Sequence, residues 1–132
     1  MDRAKYERYL AAFNGHDYET LIEFYADDVE LVISEERGLV FHGRDAIVGL
    51  YRPFHQAVYE RVDLVGFADG DDFIAVEIAT EFRPLPGTSQ SVIDLPQGKV
   101  LKLETFAFYD LDADDRFTRI RAQTYSRRYE DA

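Results

Sequence analysis

Residues 8–28, RYLAAFNGHDYETLIEFYADD, spell two short amphipathic helices, a polar turn between them and an acidic doublet that hands over to a strand. Tyr6, Tyr9, Leu10 and Phe13 fall at i, i+3, i+4 and i+7, so tyrosine rings share one stripe with apolar side chains. The stripe carries their hydroxyls toward an apolar interior. Tyr18, Leu21, Ile22 and Tyr25 repeat the pattern, which predicts a second helix through Tyr25. Asp17 stands where an N-cap acceptor is wanted, and Glu19 faces the positive end of the helix dipole.

Working outward, Val29–Ser34 alternates loosely and reads as a strand, Glu35–Gly38 as a turn and Leu39–Phe41 as a short strand. A third helix spans Arg44–Ala57, with Ile47, Leu50, Tyr51, Phe54 and Val58 on one stripe. Pro53 lies inside it and removes a backbone donor, which predicts a kink or break near Arg52. From residue 58 the period changes to two. Tyr59–Phe67, Phe73–Pro84, Lys99–Leu111 and Phe117–Arg128 read as four long strands separated by turn formers. Leu85–Gly98 reads as a mobile rim. Helices followed by a mostly antiparallel sheet form an α+β order, best buried when a curved sheet wraps the helices.

The 132 residues suit a single domain able to hold a core and a pocket together. A net charge of −11 argues against nucleic acid, whose phosphates are bound through Lys and Arg. No apolar run has the length of a membrane span, and the charged start MDRAKYER lacks the apolar centre of a signal peptide. A cytoplasmic location and no membrane partner are the resulting expectations. With no cysteine, disulfides, thiolate metal sites and a cysteine nucleophile are excluded. No His or Glu completes a metal site beside Asp27 and Asp28, and no phosphate loop, dinucleotide fingerprint or hydrolase elbow occurs.

Arg8, Tyr9, Ala11, Ala12, Asn14 and Asp17, then Ala26, Asp27 and Asp28, resemble the opening of the ketosteroid-isomerase and SnoaL-like cyclase proteins. These belong to the cone-shaped nuclear-transport-factor-2-like superfamily. The run His42-Gly43-Arg44-Asp45-Ala46-Ile47 followed by Tyr51 matches that family's entry to its third helix. The resemblance implies three N-terminal helices on a strongly curved, mostly antiparallel sheet enclosing an apolar pocket. It also implies a homodimer through the outer sheet face, which would carry Phe73, Ala75 and Ala79.

In Lys99–Leu111 the even positions place Glu104 on one face with Phe106 and Phe108. A carboxyl group flanked by aromatic rings loses hydration and is favoured as a neutral hydrogen-bond donor. The resemblance pairs this strand position with Tyr9 as two donors to an oxyanion, because ketosteroid isomerases hold a protonated aspartic acid and a tyrosine at the corresponding places. Tyr9 and Glu104 are thus the candidate catalytic pair. Two plainer readings stand beside it: Tyr9 as a core tyrosine, and Glu104 in an ion pair with Lys102 or Arg121.

The family's catalytic aspartate position falls on Ile33, which leaves the base unassigned, with Glu35 and His55 as replacements. The expected pocket wall comprises Phe13, Ile33, Tyr51, Phe54, His55, Phe82, Phe106, Ile120 and Ala122, suited to a small hydrophobic ligand. The expected function is proton transfer of isomerase, cyclase or dehydratase type on a small hydrophobic carbonyl compound, without cofactor or metal. The contrasting expectation is a non-catalytic module of the same fold that binds a hydrophobic ligand or dimerises.

Overall fold

The computed structural model describes residues 1–132. Helix α1, Arg3–Asn14, starts at Asp2, whose carboxylate accepts from the Lys5 N–H at 2.8 Å. It ends at Gly15, where an added Cβ would lie 3.1 Å from the Ala11 carbonyl oxygen. Asp17 caps α2, Tyr18–Leu21, and accepts from the Thr20 N–H and hydroxyl.

The second helix is shorter than its periodicity implies. It gives way to a 3₁₀ turn, Ile22–Phe24, and Tyr25 already opens strand β1, Tyr25–Ser34. The Tyr25 carbonyl accepts two hydrogen bonds from the Arg44 guanidinium at 2.9 and 2.7 Å, so tertiary contacts take the group a longer helix would use. Strand β2, Leu39–His42, precedes helix α3, Arg44–Ala57. That helix runs through Pro53 without the expected break. Pro53 is exposed, while Ile47, Phe54, His55 and Ala57 anchor the opposite side.

Strands β3 (Val58–Asp69), β4 (Phe73–Pro84), β5 (Lys99–Leu111) and β6 (Phe117–Asp131) complete a six-stranded sheet in the order β2-β1-β6-β5-β4-β3. Only β1 and β6 pair in parallel. Irregular register at Leu64/Gly66 in β3 and at Glu104/Thr105 against β6 marks local bulges. Such bulges increase twist and bend a sheet.

The main core lies between α1, the 3₁₀ turn and the sheet, and it contains four tyrosines. Tyr6 shares a 2.8 Å hydrogen bond with Tyr109, and Tyr9 a 3.0 Å bond with Tyr25. Each buried phenol satisfies another, which removes the cost of desolvating it. A smaller cluster of Phe54, Ala57, Val58, Phe82 and Leu101 is covered by Val92, Ile93 and Leu95. The segment 85–98 is therefore a packed cover as well as a rim. Gln90 holds its bend, accepting from the Val92 and Ile93 N–H groups at 2.8 and 3.0 Å.

Candidate functional site

Strand parity decides what faces the interior. In β5, Leu101, Thr105, Ala107, Tyr109 and Leu111 are buried, and these odd positions face the helices. Phe106 is 53% exposed on the other side, stacked on Tyr125 at 4.7 Å. Glu104 shares that outer face, where its strand neighbours are Ala79 and Ser126. The expected pairing of Glu104 with Tyr9 across the pocket is not formed. Tyr9 is buried in the aromatic core, with its hydroxyl committed to Tyr25. The grouping of Glu104 with two phenylalanines is correct; the face is reversed, because this sheet carries aromatic side chains outside as well.

The interior face opens into a cavity of about 600 Å³ between α3, the β1–β2 turn and the concave side of β3 to β6. Its wall includes Ile33, Tyr51, Phe54, Phe82 and Ala122 from the expected set, together with Glu35 of the turn. Phe13, His55 and Ile120 are buried behind that wall, and Phe106 lies outside the sheet. His42 is on the surface, 3.6 Å from Glu30. Asp27 pairs with Arg44 at 2.8 Å.

Sequence reasoning missed Glu60, the one acid that reaches the cavity from a buried position. In β3, Val58, Glu60 and Val62 are buried while Tyr59, Arg61 and Asp63 are exposed. An acid within an apolar period-two row was the available signal. The Glu60 carboxylate lies 2.9 Å from His55 Nε2, and His55 Nδ1 lies 2.7 Å from the Tyr18 hydroxyl. Burial pushes Glu60 above the ordinary glutamate value, against the opposing pull of the His55 hydrogen bond.

The surrounding elements hold this chain in place. His55 comes from the last turn of α3 and stacks with Tyr51 at 5.4 Å and with His16 at 4.4 Å. Asn14, at the end of α1, grips β3 two residues beyond Glu60. Its amide donates to the Val62 carbonyl and accepts from the Val62 N–H, both at 2.9 Å. Burial, with Glu60 nearby, keeps the Tyr51 phenol well above its usual value, so it stays protonated where it lines the cavity. Thr80 and Thr105 add hydroxyls to the same wall, that of Thr105 shared with Thr124 at 3.0 Å. The arrangement supplies a proton acceptor, a phenolic donor and an apolar wall in one enclosure.

The architecture has known relatives. A structure of a proposed polyketide cyclase from Silicibacter sp. TM1040 is 25% identical with a TM-score of 0.74, over 89% of this chain and 84% of that one. A proposed polyketide cyclase from Xanthomonas campestris pv. campestris is 23% identical with a TM-score of 0.71, over 86% and 82%. A nuclear-transport-factor-2-like protein of unknown function from Exiguobacterium sp. 255-15 is 17% identical with a TM-score of 0.68, over 89% and 95%. No curated protein matches the sequence. The family model of the SnoaL-like domain matches residues 6–120, from helix α1 to the start of strand β6, and the chain therefore belongs to the SnoaL-like domain family.

Proposed function

We propose that this SnoaL-like protein is an enzyme that moves a proton on a small hydrophobic carbonyl compound without a cofactor, in a reaction of isomerase, cyclase or dehydratase type. One observation carries the reading: the cavity wall holds a buried carboxylate, Glu60, backed by an imidazole at 2.9 Å. A carboxylate whose ionised form is disfavoured by burial is a stronger base than one in water, and its affinity for protons moves toward neutral pH.

Glu60 takes the proton from the carbon beside the substrate carbonyl, and the electron pair moves onto the carbonyl oxygen. The Tyr51 hydroxyl donates to that oxygen as its charge develops. Phe54, Phe82, Ile33 and Ala122 hold the hydrocarbon part and exclude water. Glu60 thus fills the role for which sequence had offered Glu35 and His55, and Tyr51 the donor role given to Tyr9. The outer sheet face, with Phe106 and Tyr125 about half exposed, is proposed as the surface through which two copies associate.

The test is exchange of α-hydrogens in a panel of small cyclic and aromatic ketones in D2O, followed by proton NMR. The native chain is expected to accelerate exchange in at least one compound, and Glu60→Gln to lower that rate by about 100- to 10,000-fold. Equal rates for the two proteins would reject the base assignment. Saturable binding with no exchange by either would favour the non-catalytic ligand-binding reading.

A further inference from the structure

The cavity carboxylate is linked through two side chains to a second surface of the molecule. Behind Glu60 stands His55, which is 5% exposed, and behind His55 stands Tyr18, partly exposed in a shallow hollow with His16, Asp17, Glu19 and Arg52. The cavity mouth lies elsewhere, bordered by Glu35, Glu36, Arg37, Val92 and Arg127.

We propose that Glu60, His55 and Tyr18 form a proton port, through which the base at the cavity wall exchanges protons with solvent while a ligand fills the cavity. This rests on Glu60 being the base.

The geometry allows one set of contacts to serve both protonation states of Glu60. With Glu60 protonated, its O–H donates to His55 Nε2, the Nδ1–H donates to the Tyr18 oxygen, and the Tyr18 O–H points to water. With Glu60 ionised, His55 Nε2–H donates to the carboxylate and the Tyr18 O–H donates to Nδ1. Distances of 2.9 and 2.7 Å fit either direction.

One concerted shift converts the first state into the second. The Glu60 O–H bond breaks as its proton passes to Nε2, Nδ1 gives its own proton to the Tyr18 oxygen, and the Tyr18 hydroxyl proton leaves to water. The imidazole stays neutral, the phenol stays a phenol, and the carboxylate is freed. It then takes the substrate proton on the oxygen that does not face Nε2: the C–H bond breaks, its electron pair stays on the substrate as an enolate, and an O–H bond forms. Reversal of the shift returns a proton from water to Glu60.

His16 lies flat on His55 with its own basicity lowered by burial and by His55, and Arg52 sits over the Tyr18 ring at 5.2 Å. Tyr51 also stacks with the imidazole and presents a protonated phenol. Glu60 is the one acid hydrogen-bonded to the ring, and Tyr18, raised by burial, keeps its proton as a link must.

The experiment uses the full chain labelled with 15N and reads the imidazole nitrogens of His55 across a pH series. His55 is expected to pass from the Nδ1–H tautomer, where Glu60 is protonated, to the Nε2–H tautomer, where it is ionised. A ring locked in one tautomer, or doubly protonated while Glu60 titrates, would overturn the port. In Tyr18→Phe, exchange of the His55 ring proton with water is expected to slow by about 100-fold, the low end of what one positioned proton-transfer group contributes. Unchanged exchange in a folded Tyr18→Phe protein would overturn it too. Both readouts concern ring protons alone, so they can fail while Glu60-dependent ketone exchange survives, and the reverse.

Discussion

At the level of single residues, the carboxylate that lies inside decides the chemistry. Glu104 and Glu60 both sit in period-two rows with apolar neighbours, and alternation alone treats them alike. Burial separates them: Glu60 is 9% exposed beside His55, whereas Glu104 shares the outer face with the half-exposed Phe106. Alternation fixes which residues travel together, but the inward side depends on what the other layer covers, which no single strand contains. Tyr9 illustrates the same limit, since a phenol on an apolar stripe can be satisfied by Tyr25, a partner sixteen positions away.

The displaced titration of Glu60 has a stability consequence. Its folded-state value lies above the ordinary 4.5 because burial disfavours the charge, so folding favours the protonated acid. That contribution is complete below the unfolded value and is lost as pH rises through the raised folded value. Glu60→Gln cannot ionise. It is therefore expected to gain stability relative to the native protein as pH climbs from 4.5 through that window, as read in urea melts. A difference that does not change with pH would show Glu60 to be unperturbed. Tyr51→Phe tests the donor: ketone exchange is expected to fall by about 100- to 1,000-fold with the fold intact.

At the element scale, the helix–turn–helix opening and the four long strands were legible because caps, turn formers and changes of period are local signals. Helix α2 was not, for Arg44 captures the Tyr25 carbonyl from nineteen residues away. Pro53 likewise leaves α3 unbroken, because the packed residues of the last turn hold it. The contact that most directly positions the site is also non-local. Asn14 ties the end of α1 to the Val62 backbone, which sets the height of Glu60 against His55. Asn14→Ala leaves a partly buried N–H and C=O without partners. It is expected to cost about 1–3 kcal/mol in denaturant melts, whereas Asn14→Asp retains the acceptor and is expected to lose less.

At the scale of the whole molecule, the sheet divides the chain into a concave side that holds the cavity and an outer side carrying Phe73, Phe106, Phe108 and Tyr125. Phe73 stacks on Phe108 at 4.8 Å and Phe106 on Tyr125 at 4.7 Å, which gives the outer face two aromatic pairs. If that face joins two copies, Phe106→Glu is expected to yield monomers in sedimentation experiments while leaving the secondary structure unchanged. An unaltered oligomeric state would place association elsewhere or show the native chain to be monomeric. The proposed proton transfer belongs to the cavity side. The ketone-exchange rate of Glu60→Gln measured beside that of Glu104→Gln decides it: the first is expected to lose exchange and the second to keep the native rate, and the opposite result would place the chemistry on the outer face.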